Sequence, residues 1–148
     1  MNIYFICTGN TCRSPMAEAI LRSKQIDGVT VRSAGIHTLD GLPISLHAET
    51  VIKRSDMPYT AVSSALTAEN LEWADLVLTM TTSHKDAILH AFPIAAGKTY
   101  TLKEYVWPDQ GGDVLDPYGG SLELYEQTFD ELSTLIGQLK TKLTEDEG

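Results

Sequence analysis

Short apolar runs alternate with amphipathic stretches along this chain, and that alternation limits the folds open to it more than any other feature. Ile3 to Cys7 reads as a buried strand, and a helix opened by Ser14-Pro15 runs to about Lys24. Val29 to Ala34 reads as a second strand. Ser45 to about Ser55 follows as a helix, with Leu46, Val51 and Ile52 available for its core face. Leu76 to Met80 is a third buried strand, Thr82 to His90 a short helix, and Lys98 to Leu102 a fourth strand. Leu122, Tyr125, Phe129, Leu132, Ile136, Leu139 and Leu143 then recur at spacings of three and four, which is the period of one helix face. Strands alternating with helices predict an α/β fold: a mostly parallel sheet with helices on both faces. The 148 residues form a single domain, 1–148, with a solvated tail from Thr144 to Gly148.

In such sheets ligands bind beyond the C-terminal ends of the strands, near a topological switch point. The loop after the first strand, Cys7-Thr8-Gly9-Asn10-Thr11-Cys12-Arg13-Ser14, occupies that place. A loop that wraps a tetrahedral oxyanion needs inward-pointing backbone N–H groups. Gly9 and Asn10 are residue types that tolerate the left-handed turns such a nest requires. Ser14 is a good N-cap and Pro15 suits a first helical position, so a helix N-terminus points its partial positive charge at the same spot. Arg13 adds a permanent cation with a planar fork for two phosphate oxygens. All three favour the thiolate of Cys7, a nucleophile placed for attack on phosphorus.

Attack by sulfur leaves a departing group that needs a proton, and the resulting thiophosphate needs an activated water. One carboxylic acid serves both steps. Asp116 is the candidate, restrained by Pro117 and followed by the freely turning Gly119-Gly120. The residues alone leave an ordinary Asp-Pro turn open at that position. Asp113 is the competitor and reads as a solvated residue.

Acidic side chains outnumber basic ones 20 to 11, for a net charge of −9. That balance excludes a general binder of nucleic acid or of anionic membranes. It does not exclude an anionic substrate, because the loop makes a local positive well. Two cysteines are too few for a disulfide-built secreted scaffold. The run Ile3 to Ile6 is shorter than the ~7–15 apolar residues of a signal segment, and the expectation is a cytoplasmic protein. His37, His47, His84 and His90 are scattered, so no metal and no cofactor is expected.

Beyond the loop, Pro15-Met16-Ala17-Glu18, Arg32-Ser33-Ala34-Gly35, Ala74 to Met80 and Asp113 to Gly120 complete a pattern that resembles the low-molecular-weight protein-tyrosine phosphatases over nearly the whole chain. The resemblance implies a four-stranded parallel sheet with Cys7, Arg13 and Asp116 as the catalytic residues. It also implies phosphate binding by Thr8, Gly9, Asn10, Thr11, Cys12, Arg13 and Ser14, a phosphocysteine intermediate, and phosphorylated proteins as substrates. Within the family the loop, the Val114 to Gly120 run and the Tyr100 to Val106 run are most similar to those of the bacterial protein-arginine phosphatases.

Thr11 stands where tyrosine-specific relatives carry a larger aliphatic residue. A hydroxyl there suits the polar guanidinium of phosphoarginine, whereas an aliphatic wall suits a phenyl ring. Tyr118 follows the acid as a further specificity residue. It precedes Gly119-Gly120, where the animal tyrosine phosphatases carry paired tyrosines. Tyr105 and Trp107 either wall the pocket or pack in the core. Ser33 either braces the loop through Asn10 or simply ends a strand. The resemblance also implies that Cys7 and Cys12 form a reversible disulfide protecting the nucleophile, with a buried thiol at Cys12 as the plain alternative. A tyrosine phosphatase is the second functional reading. An arsenate reductase lacks its relay cysteines here, and a phosphate-binding module has no use for a nucleophile and an acid.

Overall fold

The computed structural model describes residues 1–146; Glu147 and Gly148, part of the segment read as a tail, lie outside the described residues. Four strands, β1 (Asn2–Cys7), β2 (Thr30–Gly35), β3 (Leu76–Thr79) and β4 (Thr99–Thr101), form one sheet in the order β2-β1-β3-β4. Every pairing is parallel. The helices are α1 (Arg13–Ser23), α2 (Leu46–Arg54), α3 (Ala68–Trp73), α4 (Thr82–Ala91), α5 (Leu102–Val106) and α6 (Leu122–Asp146).

Side-chain alternation along β1 explains the three layers. Ile3, Phe5 and Cys7 face one side and pack with Met16, Ile20, Ile52, Leu132, Ile136 and Leu139 from α1, α2 and α6. Tyr4 and Ile6 face the other side, against Leu71 and Ile88 from α3 and α4. Both faces of β1 are therefore buried, as its unbroken apolar run requires. Each fully buried Ile, Leu or Phe contributes about 1.5–3 kcal/mol. The long α6 uses the three-and-four stripe read in the sequence, and it continues as helix through Thr144 to Asp146.

Two expected boundaries moved for physical reasons, and one helix was not foreseen. Ser14 does not cap α1; Cys12 does, without a side-chain hydrogen bond, and Ser14 lies inside the first turn with its hydroxyl committed elsewhere. Leu102 begins a helix rather than ending β4, because Thr101 and Glu104 form a reciprocal capping box there. Helix α3 was not expected at all; it buries one residue, Leu71, and is too short to show a helical period.

Strand order puts the site in place. The chain leaves β1 between its two neighbours, β2 on one side and β3 on the other, so the following loop opens at a switch point. Among the described residues, no helix is long and apolar enough to cross a membrane.

Candidate active site

The loop from Cys7 to Ser14 lines a cleft of about 480 Å³. Its floor is Cys7, and Thr8, Gly9, Thr11, Cys12 and Arg13 form the surrounding wall. The outer wall comes from two other loops. His37, Leu42 and Pro43 stand on one side, Asp116 and Tyr118 on the other.

Asn10 organises the loop. It adopts the left-handed conformation (φ 54°), whereas Gly9 does not. Its amide is locked in orientation because Oδ1 accepts from the Ser64 N–H at 2.8 Å. Nδ2 therefore donates, to Ser14 Oγ at 2.8 Å and to Ser33 Oγ at 3.0 Å. Ser14 Oγ, already an acceptor, has its proton free for Cys7 Sγ, 2.8 Å away. The Asn10 N–H reaches the same sulfur at 3.2 Å. Ser14 Oγ and the Asn10 N–H thus converge on Sγ. Ser33 in turn donates to the buried Glu18 Oε1 at 3.2 Å.

The backbone closes the loop from behind. Ile36 N–H donates to the Cys7 carbonyl at 3.0 Å, and His37 N–H to the Thr8 carbonyl at 2.9 Å. Gly35 sits opposite Cys7 in the β1–β2 register, so close that a Cβ would lie 2.7–2.8 Å from backbone atoms of Thr8, Gly9 and Asn10. Ser45 N–H donates to the Thr11 carbonyl at 2.9 Å while Ser45 Oγ caps α2.

Arg13 is buried, with 4% of its side chain exposed, yet its fork faces the cleft. Nη1 donates to the Val114 carbonyl at 3.2 Å, and Nη2 lies 3.5 Å from Asp116 Oδ2. Asp116 itself is half exposed, and its Oδ1 accepts from the Tyr118 N–H at 3.1 Å. The same loop is pinned by Val114 N–H to the Met80 carbonyl at 2.8 Å. Asp113 is not merely solvated: its Oδ1 accepts from Thr82 N–H at 2.8 Å and Thr82 Oγ1 at 3.2 Å, at the start of α4. It ties the loop to α4 and does not line the cleft.

Cys12 is a buried free thiol, like Cys7. Its Sγ lies 3.2 Å from the Tyr125 hydroxyl on α6. Burial first, and then this contact, push the Tyr125 pKa up to about 12, so the phenol keeps its proton. Thr11 lines the cleft, with its Oγ1 3.7 Å from Cys12 Sγ. Tyr118 stands at the rim with 76% of its surface exposed. Tyr105 and Trp107 do not wall the cleft; they pack against the core beside α6. His84, Gly35 and the Ser64 amide were missed in the sequence as parts of this site, and Asp113 was weighed there as the acid rather than as a loop anchor. No short-range pattern marks them, because each acts across the sheet. Among the described residues no group of three His, Cys, Asp or Glu side chains could hold a metal ion.

An anion entering this cleft meets Arg13, the Asn10 N–H and the N-terminus of α1. The Cys7 sulfur lies below and the Asp116 carboxyl group stands at the mouth. That set can bind a phosphoryl group, attack it, and exchange one proton with the departing group.

Comparison with known proteins agrees with this chemistry. Residues 2–148 match the family described as low molecular weight phosphotyrosine protein phosphatase. A protein-arginine-phosphatase of Geobacillus stearothermophilus is 49% identical, over 95% of both chains. The low molecular weight protein-tyrosine-phosphatase PtpB of Staphylococcus haemolyticus is 41% identical over 95% of this chain and 99% of its own. The solved structure of a YwlE arginine phosphatase mutant with a phosphorylated active-site serine superposes with a TM-score of 0.93. It is 47% identical and covers 99% of this chain and 97% of that one.

Proposed function

Because this chain belongs to the low molecular weight phosphotyrosine protein phosphatase family, we propose that it hydrolyses phosphoarginine in proteins through a phosphocysteine on Cys7. The observation that carries the chemistry is the convergence of Ser14 Oγ and Asn10 N–H on Cys7 Sγ, in a cleft closed by Arg13 and Asp116. The similarity to arginine phosphatases over 95% of the chain carries the substrate class.

The reaction runs in two displacements. The phosphoryl group sits among the N–H groups of the loop with its oxygens on Arg13, which offsets their charge. The Cys7 thiolate attacks phosphorus, an S–P bond forms, and the P–N bond to the guanidine breaks. Asp116 gives its proton to the departing nitrogen, which takes the electron pair of the P–N bond, so the side chain leaves as the guanidinium of free arginine. Asp116, now a carboxylate, takes a proton from water as the water oxygen bonds to phosphorus. The S–P bond breaks, phosphate leaves, and the thiolate and the protonated acid are restored. A relative held with a phosphorylated active-site serine in place of the cysteine supports the covalent step.

Thr11 selects the leaving group, its hydroxyl making a polar wall beside the P–N linkage. Tyrosine phosphatases at 41% identity make phosphotyrosine the competing substrate. The test is a side-by-side assay of phosphoarginine, phosphotyrosine and phosphoserine peptides with purified protein. Phosphoarginine should give the highest kcat/KM, and Cys7→Ser should abolish turnover while still binding phosphate. A higher kcat/KM for the phosphotyrosine peptide overturns the assignment of substrate.

A further inference from the structure

His84 lies in the first turn of α4, across the sheet from the nucleophile, and the steps above make no use of it. Only 8% of its surface is exposed. Its Nε2 is 2.8 Å from Thr8 Oγ1, the hydroxyl next in sequence to Cys7. Its Nδ1 is buried and has no hydrogen-bond partner among the described residues. An imidazole so deeply placed is expected to satisfy both nitrogens, and this one satisfies only the nitrogen that faces the phosphate loop.

The proton count follows from that geometry. Burial first, and then the Arg13 guanidinium and His37, push the His84 pKa down to about 4, against the opposing pull of Asp113 and Asp116. The ring is therefore neutral at pH 7 and carries one N–H. A buried N–H without an acceptor is rarer and costlier than a bare lone pair. Nδ1 also belongs to the first turn of a helix, whose positive end favours a lone pair over a proton. The N–H consequently sits on Nε2 and donates to Thr8 Oγ1. Thr8 lines the cleft, and its carbonyl is already fixed by the His37 N–H. With one lone pair of Oγ1 taken by His84, the hydroxyl proton of Thr8 is left to donate.

We propose that His84 is a positioning residue: its Nε2–H holds the Thr8 hydroxyl so that the hydroxyl proton is offered to a phosphoryl oxygen in the cleft. The inference rests on the phosphatase reading and adds to it a donor controlled from α4. His84 touches neither substrate nor nucleophile, and its effect passes through Thr8.

The test uses the full chain with p-nitrophenyl phosphate and a phosphoarginine peptide, with inorganic phosphate as competitive inhibitor. His84→Phe and Thr8→Val should each lower kcat/KM about five- to tenfold, the loss of one hydrogen bond to the transition state. Phosphate inhibition should weaken in both. The double variant should be no worse than Thr8→Val alone, because the two residues act as a unit. His84→Gln, which returns an N–H at similar reach, and Thr8→Ser, which returns the hydroxyl, should recover most of the activity. Thr8 is on the surface, so its variants remain informative if His84→Phe fails to fold. An active wild type whose folded His84→Phe form is equally active overturns this inference alone. So does an additive double variant, or a Thr8→Val form with full activity. A wild type that releases phosphate from neither substrate overturns the phosphatase reading, and the inference with it.

Discussion

Asp116 Oδ2 stands 3.5 Å from Arg13 Nη2, so the half-exposed carboxyl group leans on the buried cation that a phosphoryl group will need. On the proposed mechanism, a phosphoryl group with two negative charges would compete for the same guanidinium fork, and binding it would turn Asp116 from a partner of Arg13 into a neighbour of the leaving group.

That exchange separates the two effects of removing Asp116. In Asp116→Ala, kcat should fall about a hundredfold or more, as expected for loss of a general acid and base, with the larger loss on poor leaving groups. Inorganic phosphate should inhibit more strongly, because Arg13 is freed and a like charge is gone. Steady-state kinetics on aryl phosphates of graded leaving-group pKa read both quantities. Wild-type turnover in the variant would refute the assignment.

Thr11 is predicted to control the ratio of two activities rather than their sum. Thr11→Ile replaces a hydroxyl on the cleft wall by an apolar surface. The kcat/KM for a phosphoarginine peptide should drop, and that for a phosphotyrosine peptide should rise. If the ratio does not move, another residue selects the substrate.

Gly35 should tolerate no side chain. A Cβ there would meet three backbone atoms of the phosphate loop at 2.7–2.8 Å, and backbone cannot step aside as a side chain can. Gly35→Ala is expected to cost about 1–3 kcal/mol of stability, as overpacking does, and to reduce kcat/KM more than tenfold by moving the Thr8, Gly9 and Asn10 amides. Urea unfolding and kinetics on the same preparation check this. An active Gly35→Ala with an unchanged midpoint would mean that the loop is not held where it is described.

His84 makes a prediction for stability as well as for rate. Its pKa is about 4 in the fold and 6.5 when unfolded. Between those values the unfolded chain binds more protons than the native one, so stability rises with pH across that window. The contribution is complete above 6.5 and is lost progressively as pH falls towards 4. Urea midpoints should therefore decline over this range in the wild type and decline less in His84→Gln. Parallel curves for the two proteins would contradict a buried, neutral His84.

The strands and the long last helix were legible because their residues carry the information locally. Ile3 to Ile6 is apolar throughout, and the stripe from Leu122 to Leu143 runs for six turns. The phosphate loop was legible because its chemistry is contiguous from Cys7 to Ser14. Helix α3 was not, since a single buried Leu71 shows no period. Helix α5 was hidden because Thr101 ends a strand and caps a helix at one position. Ser14 was assigned to capping on residue type alone, but its hydroxyl lies against Cys7, a contact seven residues back that residue type does not show. The contacts made by Asp113 and His84 were beyond reach for a related reason. Their partners, Thr82 and Thr8, lie 31 and 76 residues away and meet them only through the sheet.

The contact between Cys12 and Tyr125 has a consequence for synthesis of the chain. The two residues are 113 positions apart, so the Cys7 to Ser14 loop leaves the ribosome well before the helix that packs on Cys12. A nascent chain stopped before α6 has every residue of the Cys7 to Ser14 motif, yet it lacks the helix that buries Cys12. Premature termination thus yields fragments with the motif and without the enzyme.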